Sequence, residues 1–173
     1  VCSTLGSSMV PPAASSTIGT DANTTLNTGG TIATGAAGRA ATFLVGQNAT
    51  HTHTGNITSG AYGGDRVIKE GEGTLILTSN LSHQGSNVIR EGTLQINNAG
   101  ALGSAGSLGT TVESGGTLAL ANNISLGYHE LRLNGPGAAG KASLWNQSGN
   151  NSVAGNITLQ SNSSMGASAG TTL

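Results

Sequence analysis

The sequence predicts an all-β fold: a right-handed parallel β-solenoid (β-helix) of about 20 residues per coil, with an irregular N-terminal segment. Three observations predict it. A Gly-Thr-Leu phrase recurs, Gly and Asn turns separate short strands, and only 2% of the 173 residues are aromatic. Aromatic side chains usually supply much of the bulk of a wide core. The expected core is therefore narrow and lined by Leu, Ile, Val and Ala.

The repeated phrase is a glycine followed by a strand in which alternate residues are aliphatic. The glycines are Gly73, Gly92, Gly116 and, in a related form, Gly155. The alternating aliphatic pairs are Leu75 and Leu77, Leu94 and Ile96, Leu118 and Leu120, and Ile157 and Leu159. In a parallel stack, like residues lie about 4.8 Å apart and build ladders. We therefore predict that these aliphatic residues form the structural ladder and that the four glycines form turns.

The spacing of the phrases sets the predicted coil length. Successive glycines are separated by 19 and 24 residues, and the next gap is 39 residues, which reads as two further coils. This interpretation predicts roughly eight coils if most of the chain obeys the period. Further short strands are predicted at 88–90, 111–113, 124–126, 130–133 and 142–145. The rival fold, an antiparallel sandwich, also has short strands and Gly-rich turns, but it needs no such fixed offset.

The chain divides near residue 64. Residues 64–173 are predicted to be solenoid repeats. Residues 1–63 are predicted to be an irregular, capping or partner-contacting segment, with partial coils suggested near Gly30 and Gly55. Pro11 and Pro12 exclude regular strand pairing around them. Cys2 is the single cysteine, so it forms no disulfide within the chain; a free thiol or a bond to another chain remain open.

Charge and hydropathy exclude two classes of partner. The chain has six Lys and Arg residues, which are scattered, and a net charge of −1. Because a phosphate backbone is bound by clustered basic residues, no nucleic-acid partner is expected. No apolar run approaches the roughly 18 residues of a membrane helix, so no membrane-spanning segment is expected.

Candidate metal and cofactor sites are weak. His51 and His53 would face one side of a strand, which is a spacing that can chelate a metal. No third ligand lies nearby in the sequence, so we expect exposed polar histidines, no metal and no cofactor. His83 and His129 are expected on turns or outer faces.

Glu72 and Glu91 are the best candidates for catalysis, since they lie one repeat apart and Arg90 adjoins the second. Glycosidases use two carboxyl groups about 5 to 10 Å apart. Both residues precede the Gly-Thr-Leu phrase at a coil corner, where a charged residue is simply solvated. The sequence therefore predicts no catalytic residue and no enzyme activity.

Residues 72–77 and 92–103 resemble the autotransporter-associated β-strand repeat. Two Gly-Thr-Leu strands flank a polar turn, and the unit closes on Asn-Ala-Gly-Ala-Leu-Gly. Residues 142–159, with a Ser-Gly-Asn-Asn turn, resemble the same repeat, and the resemblance covers about residues 69–173. It departs at 81–84, where the family usually has an aromatic residue near a Tyr-Thr-Gly turn. The resemblance implies an extracellular β-helix passenger of a bacterial surface protein, usually an adhesin or scaffold, without a shared catalytic motif.

The predicted function is that of a non-enzymatic passenger, extracellular or on the bacterial cell surface, acting as an adhesin or surface scaffold. Glycans or extracellular matrix are the expected partners. Because Leu173 lies inside a strand phrase, we expect either a neighbouring segment of a longer chain or end-to-end self-association there. The alternatives are a subunit of a self-assembling extracellular filament and a polysaccharide-active β-helix enzyme.

Overall fold

A computed structural model describes residues 16–34, 39–59, 64–104 and 107–173. Over these ranges the chain is an all-β parallel β-solenoid of about six turns, and it contains no helix. The predicted fold class is confirmed. The expectations for Cys2, Pro11 and Pro12 fall outside the described residues.

Eighteen short strands form the solenoid. In chain order they are β1 Ser16–Thr20, β2 Thr25–Thr28, β3 Ile32–Ala33, β4 Ala40–Val45, β5 Thr50–His53, β6 Ile57–Thr58, β7 Arg66–Glu70, β8 Thr74–Leu77, β9 Asn87–Ile89, β10 Gly92–Ile96, β11 Thr110–Val112, β12 Gly116–Leu120, β13 Ser125–Leu126, β14 Leu131–Leu133, β15 Leu144–Asn146, β16 Ser152–Val153, β17 Ile157–Leu159 and β18 Met165–Ala167.

Two seven-stranded parallel sheets run along the solenoid. The first sheet has the order β1-β4-β7-β9-β11-β14-β17, and the second has the order β2-β5-β8-β10-β12-β15-β18. Each strand therefore pairs with the equivalent strand one coil earlier and one coil later. Two further parallel pairs, β3 with β6 and β13 with β16, lie on a third side.

The coils are longer and fewer than the repeat spacing predicts. They average about 24 residues, because the step between stacked residues varies from 19 residues, as between Leu75 and Leu94, to 26 residues, as between Leu118 and Leu144. The variation lies in the corners, since a corner can gain residues at the surface without changing the register of the strands.

Aliphatic ladders fill the interior. In the second sheet Leu75, Leu94 and Leu118 are stacked in register, and so are Leu77, Ile96 and Leu120. All six side chains are buried. Burial of one such side chain stabilises a fold by about 1.5 to 3 kcal/mol, so the ladders supply most of the apolar stabilisation of these coils.

Ile157 and Leu159 do not continue the ladder to which the sequence assigned them. They belong to β17 in the first sheet, where they stack on Leu131 and Leu133. The second-sheet ladder continues instead through Leu144. The Gly155 phrase resembles the earlier ones because both sheets require the same alternation of inward aliphatic residues.

The turn glycines serve two different needs. Gly92 has a φ of +67°, a conformation that favours glycine. Gly73, Gly116 and Gly155 lie where the preceding coil approaches closely; a Cβ on Gly73 would overlap the carbonyl oxygens of Gly46 and Ala49. These three positions therefore require glycine mainly for space, not for a left-handed backbone.

The described part of the N-terminal segment also forms coils. Strand β4 pairs in parallel with β7, and β5 pairs with β8. These pairings carry the ladders across residue 64 without an interruption in either sheet. The division of the chain near that residue remains a prediction.

Candidate functional site

A groove of about 660 Å³ follows the corner that leads into the second sheet, and we call it the corner groove. It crosses the coils that contain β5, β8 and β10. Its polar lining residues are Gln47, Asn48, Thr50, Glu72, Thr74, Glu91, Thr93 and Lys141. Backbone of Gly73, Gly92, Gly115 and Gly137 completes the walls. The groove combines hydroxyl, amide, carboxylate and ammonium groups on one surface.

A ladder of threonines forms the floor of the corner groove. Thr50, Thr74 and Thr93 are stacked in register, one residue per coil. Each precedes an inward-facing residue of its strand, so its own side chain points outward. The row extends to Thr25 at one end and Thr117 at the other. The sequence thus places one hydroxyl on every coil along the groove.

The connection between β14 and β15, residues 134–143, closes one end of the corner groove. The backbone N–H of Ala138 donates to the Thr117 hydroxyl at 2.9 Å. The Lys141 ammonium donates to the Thr93 hydroxyl at 3.2 Å, although the two residues are 48 positions apart. Thr93 and Thr117 are buried beneath this connection, whereas Thr50 and Thr74 are partly open to solvent.

Glu72 and Glu91 lie on the rim of the corner groove, on successive coils, and both are exposed. The structure therefore brings the two predicted carboxylates into one groove. Arg90 does not join them: its guanidinium forms an ion pair with Glu70. The rim keeps two carboxylates that face solvent.

A buried lysine holds the corner beneath the rim. Lys69 occupies an inward ladder position between Phe43 and Ile89. Its ammonium donates to the carbonyl oxygens of Glu70 at 2.8 Å, Gly71 at 2.6 Å and Glu91 at 3.1 Å. Burial lowers the pKa of Lys69 to about 8, opposed by the charges of Glu91 and Glu70. Lys69 therefore ties together the backbones of two successive corners.

Lys141 is the cation of the corner groove. Its side chain is half-buried, and burial lowers its pKa. Within the described ranges the ion pairs join Arg90 to Glu70 and Arg132 to Glu130, so no carboxylate oxygen lies within 4 Å of the Lys141 ammonium. The hydrogen bond to Thr93 uses one of three N–H donors of the ammonium.

His51 and His53 are buried, and the prediction that they are exposed was wrong. They occupy inward ladder positions stacked on Leu75 and Leu77. The Thr28 hydroxyl lies 2.9 Å from Nε2 of His51 and 2.8 Å from Nδ1 of His53. The missed signal is alignment: His-Thr-His has the same alternation as the Leu-Ile-Leu phrase one coil later.

Burial lowers the pKa of His51 to about 4, and the charge of His53 lowers it further. Burial also lowers the pKa of His53. Both imidazoles are therefore neutral at pH 7. No group of three His, Cys, Asp or Glu residues able to hold a metal occurs in the part of the chain that the structure describes.

A second internal polar cluster links three coils of the first sheet. The Asn87 amide donates to the Thr110 hydroxyl at 3.1 Å, and Oδ1 of Asn87 lies 3.0 Å from Nε2 of His83. Thr110 in turn lies 2.9 Å from Nε2 of His129. Burial lowers the pKa of both histidines. His83 is buried and His129 is half-buried, so neither occupies the outer position that the sequence predicted.

Comparison with known proteins identifies one segment. Residues 67–96 match the family model described as passenger-associated-transport-repeat. This segment runs from β7 to β10 and carries both rim carboxylates. A search of curated proteins and a search of solved structures each found no match to the chain. Among the described residues, no helix is long and apolar enough to cross a membrane.

Proposed function

Because the chain carries an autotransporter passenger repeat within a parallel β-solenoid, we propose that it is a non-enzymatic surface scaffold that acts as an adhesin. A passenger repeat implies a secreted or cell-surface location. The solenoid holds its outer surfaces in a fixed array, since every strand is paired on both sides through most of its length. In this proposal the outer surface binds glycans of another cell or of its matrix.

The corner groove is the observation that carries this proposal. Its floor presents one threonine hydroxyl per coil, and its walls add amide and carboxylate acceptors. Sugars are recognised by several convergent hydrogen bonds, and a concave polar surface supplies them. The groove follows the axis of the solenoid, which suits an extended chain of sugar units.

Glycan binding by the purified chain tests the proposal. We expect binding to a subset of linear oligosaccharides on a glycan array, with Thr74→Val weakening it by about tenfold through loss of a floor hydroxyl. Thr158→Val is the matched control, since Thr158 is an exposed outward residue of β17 in the other sheet. Absence of binding to every glycan, or equal loss in the two variants, would contradict an adhesive groove.

The proposal concerns binding without cleavage. Glu72 and Glu91 are both exposed on the rim, where they accept hydrogen bonds from ligand hydroxyls. We expect that bound oligosaccharides are recovered intact by mass spectrometry after prolonged incubation. Shortened products that disappear with Glu91→Gln would favour the alternative of a polysaccharide-active enzyme.

A subunit of an extracellular filament is the second candidate function, and the last described coil favours it. Ile157, Leu159 and Met165 are 36%, 54% and 53% exposed, although each occupies a ladder position. A sheet edge with exposed apolar residues invites a further parallel strand. Electron microscopy over a concentration series tests this candidate: rods that lengthen with concentration support it, and rods of constant length count against it.

A further inference from the structure

We propose that the closed end of the corner groove binds a carboxylate, so that the groove selects glycans that end in an acidic sugar such as a uronic acid. In this arrangement the sugar carboxylate accepts hydrogen bonds from Lys141, and the following neutral units lie along Thr74 and Thr50. This inference rests on the proposed glycan-binding function and specifies its ligand.

The donor inventory of Lys141 supports a carboxylate at this position. An ammonium has three N–H donors and no acceptor. One donor is used by the Thr93 hydroxyl, and no carboxylate of the described residues lies within ion-pair distance. A partly buried charge without a counterion is costly, and a ligand carboxylate would compensate it with a charge-assisted hydrogen bond.

The connection at 134–143 holds Lys141 in place before a ligand arrives. Gly137 has a φ of +99°, and a Cβ there would overlap the backbone of Lys141 and Ala142. The Ser143 hydroxyl donates to the Gly135 carbonyl at 2.6 Å, and the backbone N–H of Gly135 donates to the Ser161 hydroxyl at 2.8 Å. A fixed connection lowers the entropic cost of binding.

The rim carboxylates restrict where a ligand can carry negative charge. Glu72 and Glu91 line the groove on the coils that also carry Thr74 and Thr93. Like charges that face each other across a binding surface disfavour association. We therefore expect the groove to accept one carboxylate at its closed end and to reject chains that carry a charge on every unit, such as polyuronates and sulfated glycans.

Titration calorimetry on the full chain tests the inference with three probes of equal length. They are a neutral glucose oligosaccharide, the same oligosaccharide ending in glucuronic acid, and an oligoglucuronate. We expect the acid-ended probe to bind about tenfold more tightly than either of the others. Lys141→Met should remove this preference, and Lys141→Arg should retain most of it. Arg132→Met is the matched control, because Arg132 lies in the first sheet.

Circular dichroism of each variant establishes that the solenoid is intact. Glu91→Gln adds an independent readout, since loss of a rim charge should raise the affinity for oligoglucuronate severalfold. Equal affinities for the neutral and acid-ended probes, or a preference that survives Lys141→Met, would overturn the inference while leaving glycan binding in place. Failure of all three probes to bind, together with a silent glycan array, would overturn the proposed function as well.

Discussion

The imidazole of His51 packs edge-on against the ring of Phe43, with ring centroids 5.3 Å apart and ring planes at 75°. The contact joins the two sheets across the solenoid interior. His51 is tolerated there because the hydroxyls of Thr20 and Thr28 lie within hydrogen-bond distance of its two ring nitrogens. A neutral imidazole can form these bonds, whereas the charged form loses solvation without gaining a counterion.

The solenoid is therefore expected to lose stability in mild acid. The folded-state pKa of His51 is about 4, below its ordinary value of 6.5, so the unfolded chain binds more protons between these pH values. The stabilisation is complete above pH 6.5 and is lost as the pH falls towards 4, by up to about 3 kcal/mol for this residue. Urea unfolding at pH 7.5 and pH 5 measures the change; an unaltered free energy of unfolding would contradict it.

His51→Leu provides the matched test of this assignment. Leucine is the residue that stacks on His51 in both neighbouring coils, as Leu26 and Leu75. The variant removes one titrating group, so the loss of unfolding free energy between pH 7.5 and pH 5 should become smaller than in the wild type. An undiminished loss would assign the acid sensitivity to other groups.

Truncation of the central ladder is expected to destabilise the fold strongly. Leu94 is buried between Leu75 and Leu118, so Leu94→Ala removes contacts on both sides and should cost about 2 to 5 kcal/mol. Leu159→Ala is the control, because that side chain is 54% exposed, and it should cost less than about 1 kcal/mol. Equal free energies of unfolding for the two variants would contradict the ladder.

The space requirement at the corner predicts a contrast between two glycines. Gly73→Ala places a methyl group against backbone of the preceding coil and should cost about 1 to 3 kcal/mol. Gly127→Ala meets no atom within 4 Å and should change stability by less than about 0.5 kcal/mol. Thermal unfolding of both variants distinguishes them, and a stable Gly73→Ala variant would show that the coils are farther apart.

Lys69→Met should destabilise the corner by at least about 2 kcal/mol, because three carbonyl oxygens lose their shared donor. Arg66→Met is the control on the same strand, since Arg66 is exposed, and it should leave the free energy of unfolding nearly unchanged. Chemical denaturation of both variants measures the difference. Tolerance of methionine at position 69 would mean that these carbonyls find other donors.

The strand phrases could be predicted because inward alternation leaves a direct mark on the sequence. Leu75, Leu94 and Leu118 follow glycines at nearly regular spacing, and the structure stacks them. Coil length is less accessible, since corner insertions change the spacing without changing the alternation. Ile157 shows the consequence: its phrase satisfies the pattern equally well in either sheet, and only the coordinates assign it to the first.

The corner groove was only partly accessible from the sequence. Glu72 and Glu91 precede equivalent glycines, so their place on successive coils follows from the repeat. Lys141 reaches Thr93 through the path of the 134–143 connection, which no repeat encodes. The buried histidines were missed because polar residue type outweighed ladder position in the interpretation, although threonine hydroxyls satisfy both rings.

The central claim, coaxial parallel stacking, is tested most directly by distances between spin labels on outward positions of the second sheet. With Cys2 replaced by serine, labels at Thr52 and Trp145 lie four coils apart, and labels at Asn27 and Trp145 lie five coils apart. Double electron–electron resonance should give separations of about 19 Å and about 24 Å, one strand spacing apart. Equal separations, or a difference of more than about twice one strand spacing, would contradict the solenoid.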